Sequence, residues 1–147
     1  MLIEREELCQ LIPHAGSMCL LDGVLTWDEK SIICVSHSHL LTDNPLRKNN
    51  KLSTLHAMEY GAQAMAVHGG LLARAAGEQH ADGYLAALRD VKLYSEQLDT
   101  INNPLTIEAT QLMAGNGNLM YAFEVKAEDI LIASARATVV TRPNDLD

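Results

Sequence analysis

The residues of this sequence that can carry out acid–base chemistry together are a histidine and a glutamate near its middle. His56 lies three residues before Glu59, and Gln63 lies four residues after it. On an α-helix these spacings place neighbouring side chains on one face, with Cβ atoms about 5–6 Å apart. A histidine and a carboxylate can remove one proton and deliver another, and Gln63 can orient the carboxylate. The pattern predicts a catalytic His56–Glu59 pair; the alternative is a solvated polar stripe on an amphipathic helix.

The other histidines are weaker candidates for chemistry. His14 is a rival base, although a structural role in its loop is favoured. His37 and His39 share one face of a predicted strand, a spacing that can hold a metal, but no third ligand is placed to complete such a site. His68 lies on another side of the helix and is expected to be packed or partnered. We therefore expect neither a metal nor a cofactor.

The composition is typical of one soluble globular domain, which we expect to span residues 1–147. The formal net charge is -8 and the pI is about 5.1, which argues against nucleic acid or an anionic membrane as a partner. No apolar stretch of about 18 residues predicts a membrane span, and the N-terminus has no signal-peptide pattern. The three cysteines, Cys9, Cys19 and Cys34, show no paired spacing, which favours a reducing cytoplasmic location.

The hydrophobic patterns predict one long helix among several strands. The helix begins at Ser53 or Thr54 and ends near Ala76, before Gly77. Its many Ala, Met and Gly residues indicate that it is enclosed. A short helix is predicted at residues 4–11 and a polar loop at 43–51. Strands are predicted at residues 18–24, 31–39, 83–88 continuing through 91–94, 105–113, 119–127 and 130–141.

The order of these elements predicts an α+β fold. Two turns, Asn116-Gly117 and Glu128-Asp129, join the last three strands as hairpins. One long helix followed by antiparallel strands differs from the alternating pattern of a parallel sheet. The expected architecture is a hotdog fold, in which a curved antiparallel sheet wraps one long central helix.

Four segments resemble the hotdog-fold 3-hydroxyacyl-acyl-carrier-protein dehydratases, in the same order along the chain. Leu11-Ile12-Pro13-His14 with the following Met18–Val24 is similar to the family's N-terminal motif, and Glu59–Ala64 is similar to its Glu-Ala-x-Ala-Gln-Ala helix. Gly83–Leu88 and Ala135–Thr138 are similar to two of its strands. The helix start at His56–Gln63 most resembles the dehydratases of aryl polyene pigment clusters.

This resemblance implies roles for residues of the central helix and the N-terminal motif. Glu59 corresponds to the family's catalytic carboxylate, and His56 is expected to be its partner in catalysis. Gln63, Tyr60 and His14 are expected to bind substrate.

The sequence departs from the family at the second catalytic group. The family has a loop histidine fourteen residues before the carboxylate, where this chain has Pro45. A base must therefore come from elsewhere, and helix spacing favours His56 over His14.

The implied reaction removes water from a 3-hydroxyacyl thioester to give a trans-2-enoyl thioester, in fatty-acid-like or aryl polyene biosynthesis. The alternatives are a hotdog acyl thioesterase, or a non-catalytic hotdog subunit of a heteromeric dehydratase. The expected partners are an acyl carrier protein, with its substrate bound on phosphopantetheine, and a second hotdog subunit in a homodimer or heterodimer. Arg47, Lys48 and Lys51 form a basic cluster that can meet the phosphopantetheine phosphate or an acidic carrier protein, although such a run is usually a solvated loop.

Overall fold

A seven-stranded sheet and one long helix dominate the computed structural model, which describes residues 1–12, 18–78 and 83–141. The elements in chain order are β1 (Ile3–Glu4), α1 (Arg5–Gln10), β2 (Gly23–Trp27), β3 (Ser31–Ser36), α2 (Ala57–Ala75), β4 (Gly83–Leu93), β5 (Leu105–Gly115), β6 (Asn118–Ala127) and β7 (Ile130–Thr141). Single turns of 3-10 helix occupy Ser38–Leu40 and Thr54–His56.

The sheet is antiparallel throughout, with the strand order β1-β2-β3-β5-β6-β7-β4. Side chains alternate between its faces because the strand period is two, so Leu105, Ile107 and Ala109 of β5 all point into the core. Helix α2 packs on that face against β3, β5 and β6. This is the predicted hotdog arrangement, with both hairpin turns where the sequence placed them.

Helix α2 lies close to the sheet because one of its residues has no side chain. A Cβ atom added at Gly61 would overlap the ring of Phe123 on β6. Eleven of the 19 helix residues are buried, which confirms that the helix is enclosed.

The ends of the helical segment are marked by residues predicted from the sequence. Ser53 caps the preceding 3-10 turn by accepting a hydrogen bond of 3.2 Å from the Leu55 amide. Gly77, at a φ of +70°, follows the helix end as predicted.

The strand predicted at residues 18–24 is wrong over most of its length. Met18–Asp22 is not a strand; the strand begins at Gly23, so Asp22-Gly23 is no closing turn. The carbonyl groups of this segment are satisfied by side chains instead of by a neighbouring strand. The Met18 carbonyl accepts from Gln63, the Cys19 and Leu21 carbonyls accept from Arg5, and the Leu20 carbonyl accepts from two serines.

Two further boundaries differ from the prediction. Strand β3 ends at Ser36, so His37 and His39 lie beyond it and do not share a strand face. Strand β4 is a continuous strand from Gly83 to Leu93 with irregular register, not two pieces.

The cysteines are paired in part, contrary to the sequence-based interpretation. Cys9 of α1 and Cys19 form a disulfide bond. Cys34 on β3 is a buried free thiol, and burial raises its pKa to about 12. The cysteine pattern therefore no longer supports a cytoplasmic location, which stays a prediction. None of the helices in the described parts of the chain combines the length and hydropathy that a membrane crossing requires.

Candidate active site

Glu59 lies at the edge of a cavity of about 400 Å³ between α2 and one end of the sheet. Helix α2 contributes Glu59 and Gln63 to its wall, together with the small side chains of Ala62 and Ala66. These positions recur at intervals of three and four residues and so share one helix face. The remaining walls are mostly apolar and come from Ile12, Met18, Met65, Gly83, Leu85 and Val139. Among the residues that the structure describes, the lining of this cleft is therefore mostly apolar and includes one carboxylate.

Gln63 fixes the Glu59 carboxylate relative to the backbone of residues 18–20. Its Nε2 donates to the Met18 carbonyl at 2.6 Å and to Glu59 Oε2 at 3.3 Å. Its Oε1 accepts from the Leu20 amide at 2.8 Å. Because both amide hydrogens and the carbonyl oxygen are engaged, Gln63 is placed to orient Glu59 rather than to contact a substrate.

Tyr60 points away from the cleft. Its side chain is fully buried, and its hydroxyl lies 2.7 Å from Ser38 Oγ and 3.2 Å from Asn44 Nδ2. Tyr60 does not line the cavity. This geometry gives its hydroxyl no access to a ligand in the cavity. Tyr60 instead connects α2 to the loop that contains Ser38 and Asn44.

His56 is near Glu59 in sequence but does not contact it. It ends the 3-10 turn and is the N-cap of α2, where its side chain is half-buried. Among the described residues, no hydrogen bond or ion pair joins it to Glu59, and it does not line the cavity. Its rival, His14, lies outside the described residues.

The remaining described histidines have structural partners. His37 Nδ1 lies 3.0 Å from Asp22 Oδ2. His39 is buried, with Nε2 2.9 Å from the Ile101 carbonyl. His68 is buried with Nδ1 2.6 Å from Tyr121 Oη and Nε2 2.8 Å from the Asp28 carbonyl. Burial lowers the pKa of both His39 and His68.

The predicted basic cluster divides into one inward and two outward side chains. Arg47 donates to the Asn50 and His39 carbonyls, each at 3.1 Å, and so braces its own loop. Lys48 and Lys51 exchange two backbone hydrogen bonds of 2.9 Å. The two asparagines between them have positive φ angles of 53° and 62°, as in a type I′ turn. Lys48 and Lys51 are therefore exposed side by side at the tip of a tight turn.

A buried polar network behind the helix was not anticipated from the sequence. Ser36 and Ser38 bind the Leu20 carbonyl, and Asn44 connects the same loop to Tyr60. One serine that ends a strand and another two residues later carry no sequence signal for this arrangement. Only Tyr60, a polar residue among the apolar positions of a helix, indicated that a partner must exist.

The cleft lies beside an uncovered edge of the sheet. Strand β4, which contributes Gly83 and Leu85 to the cleft, pairs only with β7 in the described part of the chain. Its side chains are mostly exposed, including Leu85 at 47%, Val91 at 39% and Leu93 at 42%. Long apolar edge strands are usually covered by another chain or element.

Solved structures with similar folds include a dehydratase and a thioesterase. The dehydratase heterocomplex ApeI:P from Xenorhabdus doucetiae contains a chain that is 20% identical, with a TM-score of 0.83 over 93% of this chain and 91% of that chain. The PaaI protein from the E. coli phenylacetic acid degradation operon is 12% identical, with a TM-score of 0.63 over 92% and 95%. A hypothetical thioesterase from Streptococcus pneumoniae, solved with coenzyme A, is 11% identical, with a TM-score of 0.60 over 81% and 84%. These likenesses support the fold.

The sequence itself identifies the family. No curated protein sequence matches the chain. The family model of the ApeP-like proteins, described as ApeP dehydratase, matches residues 6–147. The match includes the helix with Glu59, the segment that holds Gln63 and the edge strand beside the cleft, and the chain therefore belongs to the ApeP-like dehydratase family.

Proposed function

We propose that this protein is a 3-hydroxyacyl-[acyl-carrier-protein] dehydratase whose catalytic carboxylate is Glu59. The observation that carries the proposal is the Glu59 carboxylate at the edge of an apolar cleft, held by Gln63. Membership of a dehydratase family supports the reaction class. The product is a trans-2-enoyl thioester, in fatty-acid-like or aryl polyene biosynthesis.

The cleft suits an elimination from an acyl chain. A base takes a proton from C2, the electron pair of that C–H bond forms the C2–C3 double bond, and the C3–O bond breaks. An acid protonates the departing hydroxyl, which leaves as water. Glu59 is the proposed acid. The small apolar side chains of Ala62 and Ala66 leave room for the acyl chain along the helix.

His56 is the candidate base within this chain. Catalytic hydrogen bonds often tighten only when substrate binds, so its lack of contact with Glu59 does not disqualify it. Because Pro45 replaces the loop histidine, a histidine from a second subunit is the competing source.

A second hotdog subunit is the proposed partner at strand β4. Pairing along its 11-residue edge would cover the exposed apolar side chains. It would also enclose Glu59, which is exposed in the single chain, and exclude water from the cleft. The named heterocomplex of the Xenorhabdus protein supports a related, non-identical subunit; a homodimer uses the same edge.

The acyl carrier protein is proposed to dock at Lys48 and Lys51. Their turn presents two exposed cations in a chain of net charge -8. A carrier protein rich in carboxylates, or its phosphopantetheine phosphate, complements this pair. Arg47 is assigned to the loop and not to docking, because its guanidinium is engaged within the chain.

A thioesterase is the second candidate function. Hydrolysis can proceed with one carboxylate that activates water, and no histidine in the described parts of the chain is hydrogen-bonded to Glu59. The similarity in fold to a hypothetical thioesterase is compatible with this alternative. A non-catalytic subunit is the third possibility, and it requires no function for Glu59.

The three functions differ in what happens to a 3-hydroxyacyl carrier protein. The chain is incubated with it, alone and with a related hotdog subunit, and the acyl carrier protein is followed by mass spectrometry. Loss of one water from the intact thioester supports the dehydratase. Release of the free hydroxy acid supports the thioesterase. Dehydration that is unaffected by Glu59→Gln supports the non-catalytic subunit.

A further inference from the structure

The segment Met18–Leu20 holds Gln63, and through it Glu59, but is not itself part of a strand. The side chain of Gln63 is hydrogen-bonded to both ends of this segment: it donates to the Met18 carbonyl and accepts from the Leu20 amide. Any shift of the segment therefore moves Gln63 and, through the 3.3 Å hydrogen bond, the carboxylate of Glu59. The position of the Glu59 carboxylate therefore depends on the contacts that hold Leu20 in place.

The Leu20 carbonyl is fixed by two buried hydroxyl groups. Ser36 Oγ donates to it at 2.6 Å and Ser38 Oγ donates at 2.8 Å. Both serines are buried, with relative exposures of 0% and 5%. The two hydroxyl oxygens also lie 2.9 Å apart, so their hydrogens serve both this contact and the carbonyl.

Tyr60 completes the network from the helix. The 2.7 Å contact between Tyr60 Oη and Ser38 Oγ has Tyr60 as its donor, because the Ser38 hydrogen has acceptors in the Leu20 carbonyl and Ser36 Oγ. Asn44 Nδ2 donates to Tyr60 Oη at 3.2 Å and to the Ser38 carbonyl at 2.7 Å. Ser36 Oγ also accepts from the Ser38 amide at 3.1 Å, so each hydroxyl of the network has both a donor and an acceptor partner.

We infer that Ser38 and Tyr60 are positioning residues for Glu59, acting through Leu20 and Gln63. Glu59 and Tyr60 are consecutive in α2. The hydrogen-bond network therefore connects the helix to the segment Met18–Leu20 at a point next to the carboxylate. The inference rests on the proposed function of Glu59 and adds residues that touch neither substrate nor cavity.

A second tyrosine in the same molecule provides a matched control. Tyr121 on β6 is 1% exposed, and its hydroxyl lies 2.6 Å from His68 Nδ1 of α2 and 3.3 Å from Gln111 Nε2. It therefore joins the same helix to the sheet through a buried hydroxyl. No hydrogen bond in the described residues connects it to Leu20, Gln63 or Glu59.

The test compares Tyr60→Phe and Ser38→Ala with Tyr121→Phe in the active assembly. Thermal unfolding, kcat and KM are measured together with hydrogen exchange of the Leu20 amide by NMR. Misplacement of a catalytic group by about 1 Å costs up to about 100-fold, so we expect kcat to fall between about 10- and 100-fold in the first two variants, with KM nearly unchanged. Tyr121→Phe should lose comparable thermal stability yet keep kcat within about twofold. The Leu20 amide should exchange faster only in Tyr60→Phe and Ser38→Ala.

The outcomes separate this inference from the proposed function. If Glu59→Gln is inactive but all three network variants lose kcat only in proportion to their melting temperatures, the positioning role is overturned and the function stands. If the wild-type assembly does not dehydrate the substrate, the proposed function fails. Hydrogen exchange of the Leu20 amide then still tests the positioning role. Equal protection of this amide in Tyr60→Phe and Tyr121→Phe overturns that role.

Discussion

The amide of Gln63 donates a 3.3 Å hydrogen bond to the carboxylate of Glu59, one helical turn before it. The same amide is anchored on the backbone of Met18 and Leu20. The carboxylate therefore has a defined orientation even in the single chain.

Glu59→Gln should leave the fold intact and remove most turnover. The amide is nearly isosteric but cannot deliver a proton, and loss of a general acid or base costs about 10²–10⁴ in rate. Initial rates of dehydration check this, with Glu78→Gln as the control because Glu78 is an exposed glutamate just past the same helix. Activity of Glu59→Gln within a few-fold of the parent would show that Glu59 belongs to a polar stripe.

Gln63→Leu should be costly to stability as well as to activity. The variant leaves the buried Leu20 amide without its acceptor and the Met18 carbonyl without its donor. A buried polar group without a partner costs about 1–3 kcal/mol, so the free energy of unfolding in urea should fall by at least that amount. An unchanged unfolding midpoint would mean that water replaces both hydrogen bonds.

His56→Ala should lower dehydration by about 10²–10⁴ if His56 is the base, while His14→Ala should act chiefly on stability. Both variants are assayed in the same assembly, with circular dichroism as a check on folding. An inactive but folded His14→Ala variant, together with a normal His56→Ala variant, would move the base to the N-terminal loop. Normal rates in both would assign it to the second subunit.

The free energy of unfolding should decrease as the pH falls below about 6.5. Burial lowers the pKa of His68 and His39 from the ordinary value of 6.5, so the unfolded chain binds more protons than the folded chain in this window. Their contribution is fully present above pH 6.5 and is lost toward lower pH. Urea unfolding at about pH 7.5 and about pH 5.5 measures the difference. His68→Gln should reduce it, and an identical pH dependence in that variant would contradict this assignment.

Val91→Lys should prevent assembly through strand β4. Val91 is 39% exposed on the uncovered edge, where a lysine disfavours pairing with another strand. Light scattering of the chain, alone and with a second hotdog subunit, should show dimers for the parent and monomers for the variant. Leu25→Lys is the control because Leu25 is 43% exposed on β2, toward the opposite side of the sheet from β4. A parent chain that stays monomeric at micromolar concentration, both alone and with the second subunit, would contradict the proposal.

Much of the fold could be predicted because local patterns determine it. Alternating apolar side chains indicate the strands β5 and β6, Asn116-Gly117 indicates the hairpin turn between them, and the small residues of α2 indicate an enclosed helix. Met18–Asp22 could not be assigned, because its apolar run resembles a strand while its carbonyl partners are side chains distant in sequence. The candidate site divides in the same way. Helix spacing correctly linked Glu59 with Gln63, but it did not indicate that Tyr60 faces the core.

Gly61 has a consequence for the site that reaches beyond packing. At about 100° per residue, it lies nearly opposite both Glu59 and Gln63 on α2, against the ring of Phe123. The missing side chain sets the height of the helix above the sheet, and with it the depth at which the carboxylate enters the cleft. The geometry of the candidate site therefore depends on the opposite side of the helix, where Gly61 has no Cβ atom.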